Sequence, residues 1–427
     1  MTMPTDIDTL LNLLSLHQRK YEDSIHLVPS ENTMSPLAKL PFLLDAHARY
    51  FLDDLRLFGD WSFPGGKELG AIEQEVLIPL LQKYAKATYV NARALSGMNC
   101  MTIALCAMTR PGDVVYVIPA TAGGHACTTG VAQSMGLDVR YIPFRNEFDV
   151  DHEAFAAAIE RDLPRLIYLD QATFLFPIDI RPIRAVIDRL RLATTIHCDS
   201  SHLNGLIFGG VVENPLECGA HSFGGSTHKT LPGPHKGFLA TNDRLLANAI
   251  QVKADQLVSQ HHMASTISLA ITMLEFEQCR GVELMRDTMA NTRSFCAAIE
   301  HDARITLHAG ERGHTGCHQV WAFPKDGDAR VIYERMLSAG LVTNIFNGLP
   351  GLDRPAYRLS LAEFTRLGAT AVESAELASL LCRATDEGAN LTSLREQVRQ
   401  LRRALAGPKY CYAQHDLPSP FAQKAWA

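Results

Sequence analysis

One lysine stands in a segment that could hold a carbonyl cofactor covalently. Residues 222–237 read SFGGSTHKTLPGPHKG, so Lys229 is framed by small and hydroxylic residues just before a Pro-Gly-Pro turn. Its ammonium group would be costly to desolvate unless its pKa fell or its nitrogen became an imine, which is what a Schiff-base lysine requires. The alternative is an ordinary lysine in a surface loop.

An aspartate thirty residues earlier could serve the same cofactor. Asp199 ends the apolar run TTIHCD, and α/β folds bind ligands at the carboxyl ends of such strands. A carboxylate there can keep a pyridine nitrogen protonated, and that charge makes pyridoxal phosphate an electron sink for a carbanion at the substrate α-carbon. Asp199 could instead cap a helix together with Ser200 and Ser201.

Two glycine-containing turns could complete such a site. Ser96-Gly97-Met98-Asn99 opens a helical run after the strand-like ATYVNAR, so backbone N–H groups at a helix N-terminus could hold a phosphate. Gly123 and Gly124 follow the strand-like DVVYVIPA, and the pair would let His125 approach a planar ring. The alternative for His125 is a packed, hydrogen-bonded loop histidine.

An α/β domain is predicted to position these motifs. Short apolar runs alternate with helical sequence and are rich in Val, Ile and Tyr, which is typical of buried parallel strands. The runs are DVVYVIPA (113–120), DVRYIPF (138–144), RLIYLDQ (165–171) and TTIHCDSSH (194–202).

The pattern changes after a long helical stretch over residues 264–301. Fewer strands follow (HQVWAFP, LVTNIF and AYRLSL), with an amphipathic helix predicted over 391–405, which indicates a smaller α+β domain. We therefore predict an N-terminal helical arm over 1–35, a large cofactor-binding α/β domain over 36–270, and a small C-terminal α+β domain over 271–427 that includes the linking helix.

Composition excludes several classes of protein. The chain has 427 residues, 47% of them hydrophobic, which is not typical of a disordered protein. A formal charge of −6 without a basic block argues against nucleic-acid binding. With neither a signal sequence nor a long apolar run, we expect a soluble, cytoplasmic protein that binds no membrane. The ten scattered cysteines form no CxxC pair, so we expect reduced thiols and no metal site.

Taken together, the order of LVPSEN, SGMN, AGGH, DSSH and STHKT resembles the serine hydroxymethyltransferase family, a branch of the fold type I pyridoxal-phosphate enzymes. The resemblance spans roughly residues 27–368. It implies pyridoxal 5'-phosphate as cofactor and a large domain with a mostly parallel seven-stranded sheet, next to a smaller C-terminal domain. It also implies a homodimer with active sites at the subunit interface.

The resemblance implies a role for each matching residue. Lys229 would form the Schiff base, Asp199 would pair with the pyridine nitrogen, and His125 would stack on the ring. The other implied cofactor-binding residues are Ser96, Gly97, Met98, Thr173, His202, Thr227, His228 and His262. The implied substrate-binding residues are Ser30, Tyr50, His202 and Arg358. Arg358 would grip the substrate carboxylate, with Arg354 and Arg366 as competitors.

Departures from the family pattern bear on folate. Tyr50 matches a family tyrosine, but the glutamate that follows two positions later in folate-using members reads Leu52, with Asp53 one place late. A β-bulge could shift Asp53 by one position, into the place of that glutamate. Met98 and Ala172 stand where the family usually has serines, and a Gly-rich interface loop reads SQHH at 259–262. In contrast, DWSFPGG, LDQ, THKTLPGPHKG and HTGCHQV are similar to the L-threonine transaldolase branch, which needs no folate.

The expected activity is therefore that of a pyridoxal-phosphate-dependent transaldolase. It would cleave L-threonine by retro-aldol reaction and transfer the glycyl unit to a second aldehyde, giving a β-hydroxy-α-amino acid. Candidate bases for the β-hydroxyl are Tyr50, His125 and Glu31 with Ser30. The alternatives are a folate-dependent serine or 2-methylserine hydroxymethyltransferase that uses Asp53 or Glu31, a simple β-hydroxy amino acid aldolase, and a catalytically silent homologue. Tetrahydrofolate is not expected as a cofactor.

Overall fold

The structure is a computed structural model that describes residues 6–51, 63–405, 407–419 and 421–426. Its described residues form two compact units. The smaller unit lies within Met1–Pro29, Asp287–Gly348 and Leu352–Lys409, and the larger within Ser30–Arg286, Leu349–Gly351 and Tyr410–Ala427. The division into an arm and two domains at residues 35 and 270 stays a prediction.

The helices, in chain order, are α1 (Ile7–Glu22), α2 (Pro36–Lys39), α3 (Lys67–Ile72), α4 (Ile78–Ala85), α5 (Gly97–Met108), α6 (Thr128–Ser134), α7 (His152–Asp162), α8 (Ile180–Arg189), α9 (Asn204–Phe208), α10 (Arg244–Leu257), α11 (Met263–Gln278), α12 (Gly281–Glu300), α13 (Ala329–Ser338), α14 (Ala362–Arg366), α15 (Ala371–Ala384), α16 (Leu391–Ala404) and α17 (Phe421–Trp426). Glu73–Leu77 forms a π-helical turn between α3 and α4.

The strands are β1 (Ile25–His26), β2 (Tyr89–Asn91), β3 (Val114–Val117), β4 (Asp138–Tyr141), β5 (Leu166–Asp170), β6 (Thr195–Asp199), β7 (Ser222–Ser226), β8 (Gly237–Thr241), β9 (Ile305–Leu307), β10 (Gln319–Pro324), β11 (Leu341–Val342), β12 (Asn344–Asn347) and β13 (Pro355–Ser360). The four apolar runs predicted as parallel strands contain β3, β4, β5 and β6.

The larger unit is built on a seven-stranded sheet of order β2-β8-β7-β6-β5-β3-β4. Strands β4, β3, β5, β6 and β7 pair in parallel, whereas β8 runs antiparallel to both of its neighbours. The mostly parallel seven-stranded sheet predicted from the sequence is therefore confirmed.

Helices cover both faces of this sheet. Along β3, Val115 and Val117 pack in a core with side chains of α5 and α10, while Tyr116 packs in a second core with side chains of α7 and α8. All five residues of β5 are buried. A strand that is buried on both faces has a continuous apolar sequence instead of an alternating one. That is why these strands could be predicted from the sequence.

The carboxyl ends of the central strands meet at one edge of this sheet. Asp170 ends β5 and Asp199 ends β6, and the two residues pair directly in the parallel register. Strand β7 ends beside them at Ser226, and Lys229 follows three residues later. This is the edge at which α/β sheets bind ligands, and it carries Asp199 and Lys229, the two residues predicted to hold a cofactor.

The smaller unit contains a four-stranded antiparallel sheet of order β12-β13-β10-β9 and a two-stranded parallel pair, β1 with β11. Helix α16 buries Leu394, Val398 and Leu401 in this unit's core. It ends at Ala404, one residue before the predicted end. These buried residues are spaced by four and three positions, as expected for the amphipathic helix that the sequence predicted.

Two helical features differ from the expected pattern or extend it. The helical stretch over 264–301 is two helices, α11 and α12, separated at Arg280, whose backbone has φ +64°. In the predicted helical arm, α1 extends from Ile7 to Glu22, and none of its residues is buried. All ten cysteines are free thiols. Among the described residues, no helix is both long and apolar enough to cross a membrane.

Candidate functional site

A cavity of about 200 Å³ lies in the larger unit at the carboxyl ends of β5, β6 and β7. That is several times the roughly 30 Å³ of one water molecule, so the space suits a small organic ligand. The lining residues are Ser96, Gly97, Met98, Met101, His125, Asp170, Gln171, Ala172, Asp199, Ser201, His202, Ser226, His228 and Lys229.

One wall of the cavity is the N-terminus of α5. Ser96 caps this helix, and its Oγ accepts the N–H of Asn99 at 3.1 Å. The Asn99 side-chain oxygen in turn accepts the N–H of Leu95 at 2.9 Å, which fixes the turn. The first N–H groups of a helix have no intrahelical partner and carry a positive partial charge. This wall can therefore bind an anionic group such as a phosphate.

Two buried polar atoms beside this wall have no hydrogen-bond partner among the described residues. They are Ser226 Oγ and His228 Nδ1. The imidazole of His228 stacks on His235 with ring centroids 3.8 Å apart, and burial lowers the pKa of His228 to about 3, so the ring is neutral. A buried polar group without a partner is costly. A ligand oxygen in the cavity would satisfy both atoms, so they fit the phosphate of pyridoxal phosphate.

The segment predicted to hold the reactive lysine contains two lysines, and the structure separates them. Lys229 lines the cavity. Lys236 is fully buried, and its Nζ donates to the carbonyl oxygen of His261 at 2.9 Å. Asn32 Nδ2 donates to the carbonyl oxygen of Lys229 at 2.7 Å and anchors the lysine backbone. Lys229 is therefore the lysine that can react with a cofactor in the cavity.

The carboxylate of Asp199 is held in place by two donors. Its Oδ1 accepts the N–H of Ser201 at 3.0 Å, and its Oδ2 accepts the hydroxyl of Tyr168 at 3.2 Å. Gly225 has φ +142°, and a Cβ there would press against Oδ1, so only glycine leaves room for this carboxylate. The fixed anion fits a protonated ring nitrogen of the cofactor.

The Gly-Gly-His turn requires both of its glycines. Gly123 has φ +91°, and a Cβ there would overlap the carbonyl oxygen of Thr173. A Cβ on Gly124 would overlap the carbonyl oxygen of Ile118. The turn therefore packs tightly against the strand ends and brings the half-buried His125 to the cavity. The Nδ1 atom of His125 accepts the N–H of Cys127 at 3.3 Å.

The cavity brings together most of the predicted cofactor residues. The predicted residues in its lining are Ser96, Gly97, Met98, His125, Asp199, His202, His228 and Lys229. The predicted residues of the larger unit that lie outside the lining are Ser30, Glu31, Tyr50, Thr173, Thr227 and His262. Thr227 donates its hydroxyl to the carbonyl oxygen of Pro234 at 2.8 Å. Leu52 and Asp53 lie outside the described residues.

Arg358 belongs to the smaller unit, on β13. Its guanidinium is nearly buried, and its Nε donates to Gln319 Oε1 at 2.9 Å. Burial lowers the pKa of Arg358 to about 10, so the side chain stays cationic at neutral pH. The competitor Arg366 donates to the carbonyl oxygen of Lys409, and Arg354 is half-exposed. Arg358 and Arg366 are therefore both buried, and the Nε of Arg358 is held by Gln319.

Asp170, Ser201 and Ser226 line the cavity but were not singled out from the sequence. A signal for Asp170 existed, because the runs RLIYLD and TTIHCD both end in aspartate. Parallel neighbouring strands that end alike place those residues side by side. No group of three or more His, Cys, Asp or Glu residues that could hold a metal ion occurs in the described part of the chain.

Comparisons with known proteins show which proteins this chain is similar to. The family model for serine hydroxymethyltransferase matches residues 5–271. An L-threonine:uridine-5'-aldehyde transaldolase from Amycolatopsis sp is 34% identical over 373 residues, covering 86% of this chain and 89% of that protein. A serine hydroxymethyltransferase from Pyrobaculum arsenaticum is 31% identical over 418 residues, covering 96% and 95%.

Among solved structures, the L-threonine transaldolase from Pseudomonas fluorescens superposes with a TM-score of 0.86. It covers 98% of this chain and 96% of its own, at 24% identity. The similarity extends over both units, and at that identity it shows a shared fold.

Proposed function

We propose that this chain, which belongs to the serine hydroxymethyltransferase family, is a pyridoxal-phosphate-dependent L-threonine transaldolase. It would cleave L-threonine to acetaldehyde and transfer the glycyl unit to a second aldehyde. The proposal depends on one observation above all, which is that Lys229 and Asp199 line one cavity beside the N-terminus of α5. Three transaldolases at 34% or 35% identity support it.

Family membership confirms the relationship, the fold type and the cofactor predicted from the sequence. Bound through a lysine, pyridoxal phosphate withdraws electrons from the substrate α-carbon and so weakens the bonds to it. Lys229 would hold the cofactor covalently, and Asp199 would hold the proton of its ring nitrogen. Ser226, His228 and the first N–H groups of α5 would hold its phosphate.

His125 is proposed as a ring-stacking hydrogen-bond donor. Its Nδ1 accepts the N–H of Cys127, so a neutral imidazole carries its proton on Nε2. In that form Nε2 donates a hydrogen bond, and the lone pair of Nδ1 faces the N–H of Cys127. We therefore place the base for the β-hydroxyl proton at Tyr50 or Glu31, both of which are exposed in the described chain.

The activity can be tested with L-threonine and an added aldehyde, each with and without tetrahydrofolate. We expect acetaldehyde release and a new β-hydroxy-α-amino acid, with rates that tetrahydrofolate leaves unchanged. Uridine-5'-aldehyde is the first acceptor to assay, because three relatives are named for it. An aromatic aldehyde serves as the second acceptor. The products are separated by chromatography and identified by mass.

The same assay distinguishes the alternatives. Serine-to-glycine conversion that requires tetrahydrofolate, without exchange of the threonine side chain, would identify a hydroxymethyltransferase. Acetaldehyde release that yields only glycine when acceptor is present would identify a simple aldolase. A protein that binds pyridoxal phosphate but yields neither product would be a silent homologue.

Arg358 is proposed to bind the substrate carboxylate through a two-bond fork. Arg358→Lys should weaken L-threonine binding by roughly 1.5–3 kcal/mol, because an ammonium group cannot reproduce that geometry. The Kd for L-threonine should then rise about 10-fold to 150-fold. Arg354→Lys is the matched control, since Arg354 is half-exposed, and it should leave the Kd unchanged. An unchanged Kd in Arg358→Lys would assign the carboxylate to another arginine.

The substrates are small molecules, as in the rest of the family. The homodimer with interface active sites, in which His262 would contact the partner's cofactor, is part of this proposal. The cytoplasmic location likewise stays a prediction.

A further inference from the structure

Two carboxyl groups lie side by side in the cavity lining, at the carboxyl ends of β5 and β6. Asp170 and Asp199 end neighbouring parallel strands, pair in register and both line the cavity. Residues paired in this way on one sheet direct their side chains to the same face. Two neighbouring carboxyl groups that share one site cannot readily ionise together, because each anion raises the free energy of the other.

The two carboxyl groups differ in their hydrogen bonds. Asp199 accepts two donors, one on each oxygen, and it is only half-buried. Asp170 is 2% exposed, and its Oδ2 accepts the hydroxyl of Thr128. Its Oδ1 is buried and has no hydrogen-bond partner among the described residues. An unsolvated oxygen without a donor is poorly suited to carry negative charge.

The surroundings of Asp170 favour its neutral form. Burial raises the pKa of Asp170 well above its usual range, and the Asp199 charge adds to this; the Thr128 hydroxyl and the His125 backbone N–H oppose it. The buried titratable groups next to the pair are Tyr168, Cys100 and Cys198, in which burial and the Asp199 charge also favour the neutral form. These three side chains supply no positive charge to Asp170. His125, His202, His228 and Lys229 also line the cavity.

We propose that Asp170 is a positioning residue that holds the single proton of a buried carboxyl pair, so that Asp199 is the ionised member. The carboxyl pair would then carry one negative charge, on Asp199, whose two oxygens each accept a hydrogen bond. The consequence for catalysis rests on the proposed function, because it concerns the anion that holds the proton of the cofactor's ring nitrogen. The protonation of the pair itself does not depend on that function.

Infrared difference spectroscopy of the holoenzyme tests the proposal directly. The difference between wild type and Asp170→Asn at neutral pH should contain the C=O stretch of a protonated carboxylic acid, and this band should shift in D₂O. Asp138→Asn is the matched control: Asp138 begins β4 of the same sheet, is half-exposed and pairs with Arg140 at 2.8 Å. Its difference spectrum should contain carboxylate bands and the amide bands of the new asparagine, without the C=O stretch of a protonated acid. A carboxylate band in the Asp170→Asn difference would overturn the proposal.

A second variant keeps the test decisive if Asp170→Asn fails to fold. Thr128→Val removes the donor to Asp170 Oδ2 and keeps the shape of the side chain. The acid band should remain and move to higher frequency, because a C=O group that loses a hydrogen bond stretches at higher frequency. An acid band that Thr128→Val leaves unshifted would assign the proton to another group and overturn the proposal.

A pH titration connects the pair to the cofactor. In wild type the acid band should disappear at alkaline pH, and the visible absorption of the bound cofactor should change over the same pH interval. Asp170→Asn should lose that step in the visible absorption, and an identical step in both proteins would contradict the coupling. None of these spectra requires a substrate, so failure of the proposed transaldolase activity would leave this test intact.

Discussion

Lys229→Ala is expected to abolish the visible absorption band of the bound cofactor and to lower turnover of L-threonine by at least about a thousandfold. A thousandfold corresponds to about 4 kcal/mol of barrier. The reason is chemical: the variant has no nitrogen in the cavity that can bind the cofactor covalently. Absorption spectra of the wild type and the variant, each incubated with pyridoxal phosphate and then dialysed, measure the loss of the band.

Lys236→Met provides the matched control for this experiment. Lys236 lies seven residues away, is fully buried and donates to the His261 carbonyl, outside the cavity lining. Burial lowers the pKa of Lys236 to about 8, so it is a plausible nucleophile on electrostatic grounds alone. The control should keep the absorption band. A band that survives in Lys229→Ala and disappears in Lys236→Met would reverse the assignment, and a colourless wild type would contradict the cofactor.

Much of the cavity could be predicted because its residues lie next to local signals. Lys229 follows a strand and precedes a Pro-Gly-Pro turn, and Asp199 ends an apolar run. Parallel strands bring such ends to a common edge, whatever the order of the strands in the sheet. The two glycines before His125 were also informative, because a Cβ at either position would overlap a backbone carbonyl oxygen.

The remainder of the cavity depends on distances that a sequence does not contain. The sequence predicts Lys229 as the reactive lysine, but the environment of the neighbouring Lys236, which is fully buried and donates to the His261 carbonyl, is a property of the folded unit. Thr227 lies two residues before Lys229, yet its hydroxyl donates a hydrogen bond to the carbonyl oxygen of Pro234. The anchoring of Lys229 by Asn32 joins residues 197 positions apart. Such contacts appear only once the strands are paired.

Asp170 illustrates this limit most clearly. The run RLIYLD predicted a buried strand, and that strand is β5. Its terminal aspartate becomes chemically distinctive only because β6 lies next to it in register and ends in Asp199. The order of the strands, and not the composition of either one, therefore creates the carboxyl pair.

Asp199→Asn is expected to lower turnover of L-threonine by several powers of ten while the protein stays folded. The amide has nearly the same shape, and its Oδ1 can still accept the N–H of Ser201. It carries no negative charge, however, so it cannot hold the proton of the cofactor's ring nitrogen that stabilises a carbanion at the α-carbon. Each factor of ten in turnover corresponds to about 1.4 kcal/mol of barrier. Single-turnover kinetics with L-threonine measure the loss, and circular dichroism checks the fold.

Tyr168→Phe separates the charge of Asp199 from its position. This variant removes one 3.2 Å hydrogen bond to Asp199 Oδ2 and keeps the carboxyl group itself. A hydrogen bond to a charged group contributes about 1.5–3 kcal/mol, so turnover should fall by roughly 10-fold to 150-fold, less than in Asp199→Asn. Equal losses in the two variants would mean that the orientation of Asp199 matters more than its charge. Near-normal turnover in Asp199→Asn would mean that another group holds the ring-nitrogen proton, and Asp170, as the neighbouring carboxyl group, would be the next residue to replace.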